Sequence, residues 1–106
     1  MTHRTTLANR RPAVTYDLEF WGQRVTVTID PDNGLEAFLS THRSGSGTEA
    51  AVRDSAILFS LARQYGCPLE TIARAVTRNN DGTPSTPIGA VVDQLIAAAE
   101  DKAEAE

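Results

Sequence analysis

The chain has 106 residues, of which 41% are hydrophobic and 23% are charged, a composition typical of one globular domain. Its formal net charge of −4 means that a nucleic-acid-binding role would require a local basic face. The single cysteine, Cys67, excludes an intrachain disulfide and a four-cysteine zinc site. No apolar run is long enough to cross a membrane, and residues 1–13 contain no apolar signal-peptide core. We therefore expect a cytoplasmic protein without a membrane segment.

Three segments of the chain differ in composition. Residues 1–12 include several arginines without periodicity and are predicted to form a flexible basic arm. Residues 13–98 carry the periodic patterns and are predicted to form one α+β domain. Residues 99–106 are rich in alanine and acidic residues, which predicts a solvated tail or a frayed helix end.

Apolar and polar residues alternate over residues 14–20 and 23–29, as in half-buried β-strands. A two-residue turn at Trp21-Gly22 would pair Leu18 with Val25 and would keep all the apolar pairs on one face. Tryptophan is unfavourable at positive φ, so a longer loop with a glycine bulge is the alternative. Turn-forming residues 30–34 predict a second hairpin that leads into a third strand over Leu35–Leu39.

The second half of the chain changes to helical periodicity. A first helix is predicted to begin after Thr48 as its N-cap and to carry a wide apolar face that consists of Val52, Ala56, Ile57, Leu58, Phe59 and Leu61. Gly66 ends this helix, and a second helix follows over about Leu69–Thr77. Pro87, preceded by the candidate caps Ser85 and Thr86, begins a third.

The predicted fold class is α+β, with a three-stranded antiparallel β-meander followed by three helices packed on one face (βββααα). A three-stranded sheet has two edges whose main-chain groups lack partners within the sheet. Pairing between copies of the chain is therefore a predicted mode of self-association.

Residues suited to catalysis or to metal binding are few. The two histidines are His3 and His42, and no His-x-x-x-His or Glu-x-x-His pair accompanies the single cysteine. The sequence contains no recognisable set of nucleophile, base and orienting group. We expect a non-catalytic protein with no metal and no cofactor.

The stretch HRSGSGT, residues 42–48, is the best candidate for binding a small ligand. Main-chain N–H groups at a helix start attract anions, glycine permits close approach, and Arg43 could donate a charge-assisted hydrogen bond. The stretch is not a P-loop, because GxxxxGK[ST] is absent. The candidate residues for a phosphate or nucleotide are Arg43, Ser44, Gly45, Ser46, Gly47 and Thr48. The alternative is a strand-to-helix turn whose glycines serve only the backbone.

The stretch LARQYGCPLETIARAV, residues 61–76, has the spacing of a helix-turn-helix, with Ala62, Gly66 and Ile72 at the diagnostic positions. In a DNA-binding protein, the groove-facing residues would be Glu70, Thr71, Arg74 and Arg78, with Arg53 and Arg63 adding to a basic patch. The alternative is a structural corner, because any two short helices that cross at a glycine produce this spacing.

The order of these motifs resembles the TSCPD domain, which occurs at the C-terminus of adenosylcobalamin-dependent ribonucleotide reductases and in small stand-alone bacterial proteins. The shared features are an E-x-F strand before an R-x-G-S helix start, the corner S-L-A-x-x-x-G-x-P-L-E and a proline-led final helix. The resemblance covers Val14–Leu95. Where the family has Thr-Ser-Cys-Pro-Asp, this chain has Pro84-Ser85-Thr86-Pro87-Ile88. A metal or redox role of the family's cysteine therefore does not transfer to this chain.

The catalytic thiols, radical site and cobalamin pocket of a reductase belong to a barrel that this sequence does not contain. The resemblance therefore implies an accessory role and not ribonucleotide reduction. We expect an accessory module that forms homo-oligomers and binds a protein partner or a nucleotide-like anion. A DNA-binding regulator built on residues 61–76 is the alternative.

Overall fold

The computed structural model describes residues 13–42 and 46–105, apart from the side chains of residues 102, 104 and 105. A three-stranded antiparallel sheet is followed by three helices, which confirms the α+β prediction. In chain order the elements are β1 (Val14–Phe20), β2 (Gln23–Ile29), β3 (Ala37–Thr41), α1 (Gly47–Gln64), α2 (Leu69–Ala75) and α3 (Pro87–Ala105). The strand order is β1-β2-β3, so β1 and β3 are the edges of the sheet.

The first hairpin has the predicted register, with Leu18 opposite Val25. Its two-residue turn places both Trp21 (φ 54°) and Gly22 (φ 72°) in the left-handed region, as a type I′ turn requires. Tryptophan is strained there. The Trp21 ring packs edge-to-face on the Phe20 ring with centroids 5.3 Å apart, a contact that offsets part of this strain.

The second connection is longer than predicted, since β3 begins at Ala37 instead of Leu35. The buried Asp30 accounts for the difference: its carboxylate accepts hydrogen bonds from the main-chain N–H groups of Asp32 (3.1 Å) and Leu35 (3.4 Å). These bonds hold residues 30–36 in a compact loop, so the chain rejoins the sheet two residues later than the turn residues alone suggest.

The core lies between one face of the sheet and the helices. Its buried apolar side chains come from β2, β3, α1 and α3, and the most central are Val25, Val27, Leu39, Val91 and Val92. Helix α2 packs mainly against α3 and adds only partly buried side chains to this core. Most of the core contacts therefore join the sheet to α1 and α3.

Helix α1 covers the outer edge of β3. The buried Ser60 hydroxyl accepts the N–H of Ala37 (3.0 Å) and lies within hydrogen-bonding distance of the carbonyl oxygens of Ala37 and Ala56. One turn later, the Gln64 side-chain amide donates to the Leu35 carbonyl (3.2 Å). The helix thus supplies hydrogen-bond partners to edge groups that would otherwise need water or another strand.

The predicted wide apolar face of α1 is divided in the structure. Val52, Ala56 and Phe59 point into the core, whereas Ile57 and Leu58 are mostly exposed. The contacts of Ser60 with β3 and of Gln64 with the preceding loop fix the rotation of the helix about its axis. This rotation can bury only part of so wide a face.

Two helix boundaries differ from the prediction. The N-cap of α1 is Ser46, whose side chain accepts the N–H of Glu49 (3.0 Å), so Thr48 lies inside the first turn. Helix α2 ends at Ala75 instead of Thr77. Helix α3 begins at Pro87 as predicted, and the Thr86 hydroxyl accepts the N–H of Gly89 (3.2 Å). Helix α3 continues to Ala105 and thus includes most of the acidic segment.

Gly34 provides a test of the close packing between the loop at residues 30–36 and α3. Its φ is +60°, and a Cβ atom added there would lie 3.3 Å from the nearly buried Leu95 side chain. We expect Gly34→Ala to lower the free energy of unfolding by about 2 to 3 kcal/mol through backbone strain and overpacking together. Urea unfolding of the purified variant measures this change.

Gly82→Ala is the matched control, because Gly82 also has a positive φ (+88°) but has no atom within 4 Å of its added Cβ. It should cost only the backbone strain, about 1 kcal/mol. Equal losses in the two variants would mean that Leu95 does not restrict this loop.

Candidate functional site

The predicted anion-binding stretch is only partly described by the structure. Arg43, Ser44 and Gly45 lie outside the described residues. Ser46 caps α1, and the exposed Gly47 and Thr48 form the beginning of its first turn. Within the described part of the chain, the stretch therefore has the structural role of starting α1.

A negative charge already lies at this helix start. Glu49 is in the first turn of α1, and its carboxylate is 3.5 Å from the Thr41 hydroxyl. A carboxylate at this position interacts favourably with the partial positive charge of the helix N-terminus, which lowers the gain from an additional anion. Binding of a phosphate or nucleotide by Arg43–Thr48 stays a prediction.

The corner at residues 61–76 differs in packing from a helix-turn-helix. Its second helix, α2, has seven residues and packs against α3, with only slight contact to α1. A helix-turn-helix instead has two helices that lock onto each other, the second of which is presented to DNA. Glu70, Thr71 and Arg74 are exposed on α2.

Arg78, the fourth predicted DNA-binding residue, is engaged within the chain. Its guanidinium forms two 2.8 Å hydrogen bonds to the carboxylate of Asp93 on α3. It also donates to the main-chain carbonyls of Ala73 (3.2 and 2.9 Å) and Gly82 (3.1 Å). Arg78 thereby ties the end of α2 and the following loop to α3. A DNA contact by this group would compete with these bonds, and DNA binding stays a prediction.

Arg63 has a similar internal role that the sequence reasoning missed. Its guanidinium donates to the main-chain carbonyls of Gly34 (2.8 Å), Cys67 (2.7 Å) and Asn33 (2.6 Å). It joins the end of α1 to the loop at residues 30–36 and to the corner before α2. No local motif signals such a role, because the carbonyl acceptors lie up to 30 residues away along the chain.

Several exposed apolar side chains lie together on the solvent side of α1. Ile57, Leu61 and Tyr65 are spaced four residues apart, and Leu58 lies beside them three residues before Leu61, so the four form one continuous strip. Each of these side chains is between 37% and 66% exposed. Exposed apolar patches of this kind mark interaction sites more often than scattered single side chains do.

Phe38 on β3 is a further exposed apolar side chain near α1. Its ring is half exposed and lies 5.7 Å from the guanidinium carbon of Arg53, one turn before Ile57. The contacts Thr41–Glu49 and Ala37–Ser60 fix how α1 runs along β3, and they place Phe38 near the level of Ile57. We call the surface formed by Phe38, Ile57, Leu58, Leu61 and Tyr65 the α1 surface.

The residues that could support chemistry are dispersed. Among residues 13–42 and 46–105, no group of three or more His, Cys, Asp or Glu side chains is placed to hold a metal ion. The His42 ring is exposed and contacts Arg24 (3.2 Å) and Thr26 (3.1 Å) on the sheet. Over the same part of the chain, no helix is sufficiently long and apolar to span a membrane.

The ion pair of Arg78 and Asp93 should make the stability of the fold depend on pH. Hydrogen bonds from Arg78 hold the pKa of Asp93 below its ordinary value. Because the folded pKa is the lower one, the pair stabilises the fold above the unfolded pKa, about 3.9, and this stabilisation is lost as the pH falls through the folded pKa. We expect Asp93→Asn to lower the urea midpoint of unfolding at neutral pH. In strong acid, the midpoint of the variant should approach that of wild type.

Urea titrations at a series of pH values provide the measurement. Asp54→Asn is the control, because this exposed carboxylate has no hydrogen bond or ion pair with another described residue. The Asp93 side chain is 37% exposed, so solvent screening keeps the effect modest. A difference between Asp93→Asn and wild type that stays constant down to about pH 2 would contradict the assignment.

Comparisons with known proteins add no relative: no family model, curated protein or solved structure matches the chain. The similarity to TSCPD domains therefore depends on the sequence motifs alone.

Proposed function

We propose that the chain is a non-catalytic accessory module, similar in motif order to TSCPD domains, that acts as a homodimer through the α1 surface. The observation that carries this proposal is the exposure of four large apolar side chains along α1, together with the half-exposed Phe38 on the neighbouring strand β3. Such a strip is costly to leave in water, and a binding partner that covers it removes the cost.

The size of the surface fits a dimer. A half-exposed large side chain offers about 100 Å² of area, so the five together offer about 500 Å² per copy. Two copies would bury about 1,000 Å² in total, which reaches the lower limit for a specific interface. An interface of this size supports a dimer that dissociates at micromolar concentrations.

The surface is also self-complementary. When two α1 helices pack antiparallel about a two-fold axis near residue 59, Ile57 of one copy faces Leu61 of the other. The same arrangement brings Arg53 opposite Tyr65 of the second copy, where the guanidinium can lie over the ring. No like charges meet at the centre of this contact.

The proposed dimer contact is centred near residue 59, whereas the described part of the predicted anion-binding stretch, residues 46–48, lies at the start of α1. A nucleotide-like ligand at Arg43–Thr48 is therefore an independent hypothesis, and its failure would leave the dimer proposal unchanged. The DNA-binding alternative gains no support from residues 61–76, because two of the four arginines of its basic patch bind groups within the chain.

Sedimentation equilibrium of wild type and of Leu58→Ser tests the proposal. Leu58 is 66% exposed, so its replacement removes little from the folded monomer but removes two apolar side chains from the dimer. We expect wild type to dimerise at about 1 to 100 µM and Leu58→Ser to raise the dissociation constant at least about tenfold.

Val14→Ser is the matched control, because Val14 is an exposed apolar residue on β1, away from the α1 surface. It should dimerise like wild type. A wild-type chain that stays monomeric throughout this range, or equal dissociation constants for Leu58→Ser and Val14→Ser, would overturn the proposal.

A further inference from the structure

A cleft of about 400 Å³ lies apart from the α1 surface. It forms where the loop at residues 30–36, the end of α1, the start of α2 and the second half of α3 meet. The residues of its wall that bear on ligand binding are Asn33, Arg63, Leu69, Leu95, Ala98 and Ala99. The volume is within the range of small-molecule sites in proteins.

One end of the cleft is positively charged. Arg63 lines it and donates one hydrogen bond to each of three main-chain carbonyls. A guanidinium has five N–H donors, so two remain for another acceptor. Among the described residues no carboxylate lies within ion-pair distance of Arg63, and the hydrogen-bond partners of its guanidinium are neutral carbonyls. A bound carboxylate would neutralise the charge of Arg63 and accept hydrogen bonds from its two remaining N–H groups.

The rest of the wall is largely apolar. Leu69 and Leu95 form its base, while Ala98, Ala99 and Ala103 on the exposed side of α3 leave room above it because their side chains are short. Asp32 also lines the cleft. The wall therefore favours one negative charge at the Arg63 end and an apolar body along α3.

We propose that this cleft binds a small monocarboxylate with an aliphatic body, its carboxylate on Arg63 and its chain against Leu69, Leu95 and Ala99. This site is separate from the α1 surface and does not depend on dimerisation. The Asp-Asn-Gly turn and the start of α2, which meet here, lie outside the α1 surface.

Hexanoate is the probe, with 1-hexanol as its neutral counterpart and inorganic phosphate as the dianion. Amide chemical shifts of ¹⁵N-labelled protein report both the position and the affinity of binding. We expect hexanoate to shift Gly34, Ala98 and Ala99 and to bind at least about tenfold more tightly than 1-hexanol, since charge-assisted hydrogen bonds discriminate by that factor or more.

Arg63 also holds the fold together, so a variant of this residue is a poor test. Ala99→Phe fills the cleft instead, and we expect it to weaken hexanoate binding at least tenfold. Ala97→Phe adds the same ring on an exposed side of α3 outside the cleft and should bind like wild type. Equal affinity for hexanoate and 1-hexanol, stronger binding of phosphate, shifts elsewhere, or unchanged binding in Ala99→Phe would each overturn the proposal.

Discussion

The docking of α1 on the edge of β3 is the contact on which the rest of the structure depends. Ser60 places a buried hydroxyl against the N–H and C=O of Ala37, where an unsatisfied polar group would cost about 1 to 3 kcal/mol. This contact satisfies the main-chain groups at the start of β3 and fixes the rotation of α1. It therefore determines at once that Phe59 is buried and that Leu58 faces solvent.

Two arginine side chains hold separate elements of the fold together. Arg63 connects α1 to the loop at residues 30–36, and Arg78 connects the end of α2 to α3. Both act mainly on main-chain carbonyls, which loops far apart in sequence can present at the same place. Two arginines of the predicted DNA-binding patch, Arg63 and Arg78, therefore have packing roles within the chain. The proposed carboxylate site follows from Arg63 in particular, since no carboxylate among the described residues forms an ion pair with it.

The parts of the fold that depend on local patterns could be predicted from the sequence. Alternation gave both strands of the first hairpin and their register, and Pro87 marked the start of α3. The N-cap of α1 could not be chosen by pattern, because Ser46 and Thr48 are both good caps. The start of β3 depended on hydrogen bonds of the Asp30 carboxylate, which a turn motif does not reveal.

The candidate site was harder to predict than the fold. Residues at helical spacing show that α1 is amphipathic, but they do not show which part of a wide apolar face meets the sheet. The hydrogen bond between Ser60 and Ala37 sets the rotation of α1. This rotation buries Val52 and Ala56 and leaves Ile57 and Leu58 exposed.

Coverage of α1 by a second copy of the chain is tested most directly by isotope-filtered NMR. The sample mixes protein with ¹³C-labelled methyl groups and unlabelled protein, so that the selected NOEs come only from contacts between copies. An antiparallel dimer predicts NOEs between methyl groups of Ile57 in one copy and Leu61 in the other. Their absence at concentrations where the chain sediments as a dimer, or NOEs that come only from Val14 on β1, would contradict a dimer formed by α1.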